Sequence, residues 1–316
     1  MIQKVRQLNY LKNIETTQIN TKNTIKLSHI KESCVTISYG LNFLEMKYTS
    51  GLTFILILTF FSLFGQTKKN KDLKRAIICL TYDDGLESQL STVIPQLDTF
   101  NLKATFFLNS IQGSSQSIII GHTPEAVLGW TNAAKNGHEL ANHTLFHACP
   151  EKIGWDKTVS IENYSIERII LEIKTESTLL ALLDPNRKER AFAFPCGNFL
   201  IGGVDYIPIV KKLRLISYAR GGGDSTSIIT NFKNLDPIKV PSWHVWTGTT
   251  LNELISFAKK VKQTGGMGVY QFHGVDGQIF QISKEAHRAF LEYLKNHQDD
   301  YWVTTFSEAM DFITKK

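Results

Sequence analysis

The sequence is poor in cysteine, with four in 316 residues, and only Cys79, Cys149 and Cys196 lie beyond residue 66. An odd number there leaves at least one free thiol, and the spacings fit no zinc-ribbon pattern, so the core and not a disulfide framework must hold the chain together. Long apolar runs are missing too: the stretch from Leu52 to Phe64 is only about 13 residues, too short for a comfortable membrane span. Gly221-Gly222-Gly223 and Gly265-Gly266 lack the spacing of a nucleotide-binding loop and read as turns. Nor is there a large charge excess. The formal charge is +6 and the pI about 9.0, but residues 1–66 carry six Lys and one Arg against three Glu. The remainder is close to neutral, and the basic pI argues for neither a nucleic-acid partner nor a membrane surface.

What is present is ordinary globular material, 42% hydrophobic and 20% charged, enough for one large α/β domain or two medium ones. Residues 46–66 have the layout of a secretory signal peptide: a short basic start at Met46-Lys47, the apolar run, and Gly65-Gln66 where cleavage could fall. The bland alternative is a single anchoring helix. A signal peptide belongs near the amino end, so residues 1–45, which have no periodic apolar pattern, are expected to be an upstream extension outside the working protein. Residues 67–75 then form a linker, and 76–316 a single exported domain, expected to be a monomer with no stable membrane span after signal cleavage.

From Ala76 onward short apolar runs alternate with stretches of helical periodicity, the pattern of parallel strands joined by crossover helices. Strands are expected at Ala76 to Thr81, Ala104 to Leu108, His138 to Asn142, Ala191 to Phe194, Leu215 to Tyr218, Gly268 to Phe272 and Tyr301 to Thr305. Helices are expected at Leu86 to Phe100, Ile161 to Leu183, Leu251 to Gln263 and Lys284 to His297. In the second helix Ile166, Ile169, Ile170 and Ile173 form one apolar stripe, read as core. About seven such units fit a single distorted (β/α) barrel better than an open sheet, and a barrel places its site at the carboxyl ends of its strands.

Three short pieces fall at such ends: Thr81-Tyr82-Asp83-Asp84-Gly85, His143-Thr144-Leu145-Phe146-His147 and Phe272-His273. Each has a bland reading. Asp-Asp-Gly suits a turn, and two His four apart are commonly surface or satisfied core residues. Occurring together and in order, they supply two carboxylates and three imidazoles, the equipment of a metal-assisted hydrolase. One carboxylate and two imidazoles leave a cation open positions for water and substrate, and a second carboxylate beside them can take the proton from that water. Cys149 and Cys196 lie next to motif residues that should converge, which leaves a disulfide between them open.

These motifs resemble those of the polysaccharide deacetylase family, carbohydrate esterase family four, whose first motif is Thr-Phe-Asp-Asp-Gly and whose second is His-Ser/Thr-x-x-His; the similarity spans about residues 76 to 310. The resemblance implies that Asp84, His143 and His147 bind one divalent metal, usually zinc, with cobalt or nickel as alternatives, and that Asp83 is the general base. It implies that His273, in the last motif, is the general acid. Phe194-Pro195-Cys196-Gly197 resembles the family's Pro-Tyr-Gly turn, so the backbone N–H of Cys196, after Pro195, would stabilise the oxyanion.

The sequence departs from the family in two places. Many members carry an Arg that orients the base two residues before that Pro, where Ala193 stands here; Arg190 is at an odd offset and points to the other face, which leaves the partner of Asp83 open. The fourth motif, usually Asp-Trp, is represented only by Val240-Pro241-Ser242-Trp243-His244-Val245-Trp246. Trp243 is expected to be either a wall for a sugar ring or a core aromatic, and His244 to be a cleft residue or a structural one. Asp236 and Asp276 are the acids available to tune His273. The expected activity is metal-dependent removal of N- or O-linked acetyl groups from a polysaccharide or oligosaccharide. The alternatives are an acetylxylan-type esterase as opposed to an N-deacetylase, and a polysaccharide-binding protein without turnover.

Overall fold

In the computed structural model the described residues are 75–110, 124–277 and 279–315; the expected upstream extension, signal peptide and nearly all of the linker lie outside them. The strand Ala76–Asp83 (β1) is buried along its whole length, as a parallel strand covered on both faces must be. On one edge it pairs in parallel with Met267–Phe272 (β10). On the other edge its carboxyl half pairs with Thr105–Leu108 (β2) and its amino half with Tyr301–Thr304 (β11). Beyond β2 come Glu139–Asn142 (β3), Phe192–Ala193 (β4) and Ala219–Arg220 (β7). Beyond β10 come Trp243–His244 (β9), parallel, and Ile228–Ile229 (β8), antiparallel. A small hairpin, Leu200–Ile201 (β5) with Val204–Asp205 (β6), stands apart.

The sheet is curled. The segment 237–245 hydrogen-bonds to β7 on one side, through Val240 N to Ala219 O at 3.0 Å, and to β10 on the other, through Val245 N to Gln271 O at 2.9 Å. The architecture is α/β and consistent with the expected distorted barrel. Helices Ile94–Thr99 (α1), Pro124–Lys135 (α2), Ile166–Leu183 (α3), Ile207–Lys212 (α4), Leu251–Thr264 (α5) and Lys284–Asn296 (α6) surround the sheet, and Phe306–Thr314 (α7) packs against its inward side. Among the described residues no helix is long and apolar enough to cross a membrane.

Side-chain alternation along the strands sorts the core into two sides. Ile78, Leu80 and Tyr82 of β1 pack outward with Tyr270, Phe272, Trp243, Phe257 and Phe290. Ile77 and Cys79 pack inward with Phe107, Ala141, Ala193, Val240 and Val269, and Phe306 and Met310 of α7 plug that interior. The inward series of β1 continues to Thr81 and Asp83, so the polar site sits on top of an apolar column. The Ile169, Ile170 and Ile173 stripe is core, as expected, in a third cluster under α3.

Three of the expected elements are shifted. The predicted strand Leu215–Tyr218 is displaced to Ala219–Arg220, because α4 occupies the preceding residues and its exit, with Arg214 at φ 51°, uses Leu213 to Tyr218 as a connector. The helix expected from Ile161 starts at Ile166, where Ser165 caps it by accepting from Arg168 N. The helix expected from Leu86 to Phe100 opens instead with one wide turn at Gln89–Val93 before α1. That turn aims the Gln89 amide inward, where it donates to the carbonyls of Asp83 and His273 at 2.5 and 3.2 Å.

Candidate metal centre and hydrolytic site

Neighbouring residues of a strand face opposite sides, yet Asp83 and Asp84 share one site. The backbone explains this: Asp84 has φ 74° and Gly85 φ 60°, so the strand kinks at its end and the Asp84 carboxylate swings to the side that Asp83 already faces. The two motif imidazoles converge without a helix. Thr144 (φ 64°) and His147 (φ 50°) turn the chain sharply, Asn142 Oδ1 accepts from Thr144 N at 2.8 Å, and Thr144 Oγ1 accepts from His147 N at 3.1 Å. His143 Nε2 and His147 Nε2 end 3.1 Å apart. Asp84 Oδ1 lies 3.6 Å from the former and 3.3 Å from the latter.

His143 Nδ1 donates to the Ala193 carbonyl at 2.8 Å, which leaves the Nε2 lone pair facing the cluster. Asp84 is 2% exposed, and its Oδ1 is buried without a hydrogen-bond partner, an arrangement that carries a penalty unless something positive completes it. Burial, reinforced by the charge of Asp83, pushes the Asp84 carboxyl up to about 8. Burial likewise holds the His143 and His147 imidazoles down, which favours the neutral ring with a free lone pair. An orphaned carboxylate oxygen between two lone-pair donors fits a divalent cation. A second cluster, His147 with Cys149 and Cys196, offers no thiolates, because the two sulfurs form a disulfide.

A cation that binds only the folded chain stabilises it by mass action. Adding zinc to the chelator-treated protein is therefore expected to raise Tm by roughly 5–10 °C at a hundredfold excess over Kd. Scanning calorimetry of the wild type beside His147→Ala checks this, with no shift expected in the variant.

The partner of Asp83 is Arg220, which was not legible as such. Arg220 Nη2 donates to Asp83 Oδ1 at 2.6 Å and also to Oδ2. Arg220 pairs in register with Ala193, so the guanidinium reaches Asp83 from the strand next to the one that carries Ala193. Arg190 instead binds Asp184 and the Leu140 carbonyl, on the other side, as its offset predicts. Gln271 Nε2 adds a donor to Asp83 Oδ2 at 3.1 Å, and Ser242 links Gln271 to Arg220. Burial works to raise the Asp83 carboxyl, but the charge of Arg220, joined by those of His143 and His273 once acid protonates these rings, outweighs it and holds the group at about 2. Asp83 is thus ionised, with Oδ2 4.0 Å from His143 Nε2 and 3.9 Å from His273 Nε2. Gly223 permits the backbone beside this network: a Cβ there would sit 2.6 Å from the Ser242 carbonyl oxygen.

Neither Asp236 nor Asp276 approaches His273; they pair with Lys211 and Lys284. The His273 ring lies against His244 (4.9 Å, 21°) and Phe280 (5.0 Å, 73°), and its Nδ1 has no partner. Burial drives this imidazole down to about 3. His244, one of the two readings left open, does line the site. It stacks at 3.8 Å on Trp246, which is 55% exposed and meets the partly exposed Phe280 edge-on. Trp243 corrects the other expectation: its side chain is 7% exposed and packs between Phe257 and Tyr270 in the outer core. In β9 it pairs with outward-facing Tyr270, while His244 pairs with inward-facing Gln271, so alternation alone removes Trp243 from the cleft.

Pro195 is buried and Cys196 is exposed on a tight turn, in the left-handed conformation with φ 53°. Cys196 is bonded to Cys149, the pairing left open above, while Cys79 is free and buried. That bond brings the turn beside His147.

The family model described as polysaccharide deacetylase matches residues 70–206. The match takes in Asp83, Asp84, His143, His147, Pro195 and Cys196, and stops short of Arg220, His244 and His273. No curated protein matches the sequence. Among solved structures, the Xyl-CE4 domain of a multidomain xylanase from the hindgut metagenome of Trinervitermes trinervoides is 20% identical, with 75% of this chain and 91% of that one covered and a TM-score of 0.45. The catalytic domain of a peptidoglycan N-acetylglucosamine deacetylase from Eubacterium rectale is 19% identical, covering 77% and 94%, at a TM-score of 0.46. A family-four pseudoenzyme from Bacillus anthracis is 15% identical, covering 75% and 66%, at 0.48.

Proposed function

We propose, from the premise that this chain belongs to the polysaccharide deacetylase family, that it hydrolyses N- or O-linked acetyl groups of a polysaccharide or oligosaccharide with one divalent metal, most simply zinc. The observation that carries the reading is the orphaned Asp84 Oδ1 facing two neutral imidazoles, with a second carboxylate on the far side held ionised by Arg220. Asp84, His143 and His147 would hold the metal, which as a Lewis acid polarises the acetyl carbonyl and lowers the pKa of water.

The chain's own residues divide the remaining work. Asp83 is ionised, and Arg220 and Gln271 fix its orientation, so it accepts the proton of the attacking water. The Cys196 N–H, on the turn after Pro195, donates to the oxygen on which negative charge gathers. His273 Nε2 faces the same space and protonates the leaving amine or alcohol oxygen. It is neutral while the site is empty of substrate; the negative charge of the tetrahedral intermediate raises its pKa, so that it takes a proton from solvent water and passes it to the leaving group.

Trp246 takes the role that Trp243 cannot: its exposed ring beside His244 and His273 is a wall for a sugar ring. In Trp246→Ala, KM for an acetylated oligosaccharide should rise roughly fivefold, about 1 kcal/mol of lost stacking, while kcat/KM on a small aryl acetate stays within about twofold. Equal changes on both substrates would remove the wall.

Export is part of the proposal, supported by the signal-like stretch 46–66 and by the Cys149–Cys196 disulfide, which persists in oxidising compartments. Acetate release from acetylated xylan, chitooligosaccharides and peptidoglycan, with and without chelator, tests the function. Chelator-sensitive release from one of them is expected, and the substrate released separates esterase from amidase. No release from any with zinc or cobalt loaded would favour the binding-only reading.

A further inference from the structure

The Cys149–Cys196 disulfide joins two segments 47 residues apart in sequence, with Cα atoms 5.8 Å apart. The segments are not arbitrary. Cys149 follows His147 by two residues, and Cys196 is itself the residue whose N–H is assigned to the oxyanion. Both segments depart from regular structure: His147 has φ 50°, Cys196 φ 53° and Gly197 φ 65°. The Cys196 segment is only a three-residue 3-10 turn, Pro195–Gly197, within which Cys196 itself is non-helical, and no strand ladder pairs it or the residues around Cys149.

The two imidazoles of the cluster are also oriented by different means. His143 Nδ1 is anchored by a strand carbonyl at 2.8 Å. At His147 the corresponding nitrogen meets sulfur: Cys149 Sγ lies 3.6 Å from Nδ1, and the Trp155 ring packs obliquely on the imidazole at 5.4 Å and 45°. Metal-ligating imidazoles ordinarily use their second nitrogen on a carboxylate, carbonyl or water, and those outer partners set ligand orientation. A sulfur is a weak acceptor, so its value here lies in where the covalent bond holds it.

We propose that the Cys149–Cys196 disulfide is a positioning element of the reactive centre, a clamp that fixes the His147 imidazole and the Cys196 N–H relative to each other. It rests on the metal site proposed above. A staple of the fold would act on stability alone. The clamp acts on metal affinity, because the side-chain contact at Nδ1 of the ligand that it steadies is the Cys149 sulfur.

The test is zinc affinity, measured by competition with a chromophoric chelator, alongside Tm of the zinc-free protein. In Cys149→Ala/Cys196→Ala the zinc Kd is expected to weaken about 10- to 100-fold, the range for losing an outer partner of a ligand. A Cys149→Val/Cys196→Ala protein, which keeps apolar volume in the buried half of the pair, gives the same reading if the first variant does not fold. A lower Tm with zinc affinity within about twofold of wild type would overturn the clamp and leave an ordinary staple. Failure of the wild type itself to bind zinc would count against the metal site, so the two readings fail separately.

Discussion

Asp83→Asn is expected to retain its metal and lose its turnover. The substitution keeps the shape of the side chain and its contact with Arg220, but removes the charge that accepts a proton, and a positioned base contributes about 10²- to 10⁴-fold. Asp84→Asn and His147→Ala are expected to lose both metal and activity, because each removes one of three converging ligands. The contrast is sharp because Asp83 and Asp84 are adjacent in sequence and equally buried, at 1% and 2% exposure. Their environments separate them: Asp83 is ringed by Arg220 and Gln271, whereas Asp84 Oδ1 has no hydrogen bond at all. Metal content by elemental analysis beside acetate release decides it. An equal fall of metal in Asp83→Asn and His147→Ala would mean that the roles of the two carboxylates are wrongly divided.

Arg220→Met should give the second large effect, on stability and on pH dependence together. Arg220 and Asp83 are both almost fully buried, and removing one member of a buried pair leaves an uncompensated charge, at about 3–5 kcal/mol. In the wild type the folded-state carboxyl sits at about 2, below its ordinary 3.8. Its ionisation therefore stabilises the fold fully above the ordinary value, and that contribution disappears as pH falls toward about 2. Without the guanidinium, burial is the dominant influence and the carboxyl moves up. The acid limb of kcat/KM in Arg220→Met should shift to higher pH, and denaturant unfolding at pH 7 should show the loss of stability. An unchanged acid limb would mean that Asp83 is not the base whose protonation stops the reaction.

The parts of this site that were legible in the sequence are those fixed by local chemistry. Asp83-Asp84-Gly85 announces a turn with two carboxylates, and His143 with His147 announces two imidazoles within reach of each other. The strands under them were legible because β1, β2, β10 and β11 are largely apolar runs closed by polar residues. What depends on register was not. Arg220 supports Asp83 only because its strand pairs Ala193 with Arg220, a relation between residues that no spacing encodes. Its signal was an Arg closing the run that precedes Gly221-Gly222-Gly223. Trp243 and Trp246 are equally aromatic in sequence, and the pairing of Trp243 with outward-facing Tyr270 is what sends one to the core and leaves the other at the cleft. Helix α7 is not legible because it is a 9-residue element tied to the last strand, without a stripe long enough to stand out; its apolar face, with Phe306 and Met310, packs against the inward side of the sheet.

The most direct measurement is a crystal structure of zinc-loaded protein with diffraction recorded on both sides of the zinc absorption edge. A single strong anomalous peak is expected, enclosed by Asp84 Oδ1, His143 Nε2 and His147 Nε2, on the side that Asp83 faces. A peak elsewhere, or none at that position at saturating zinc, would contradict the proposed metal site.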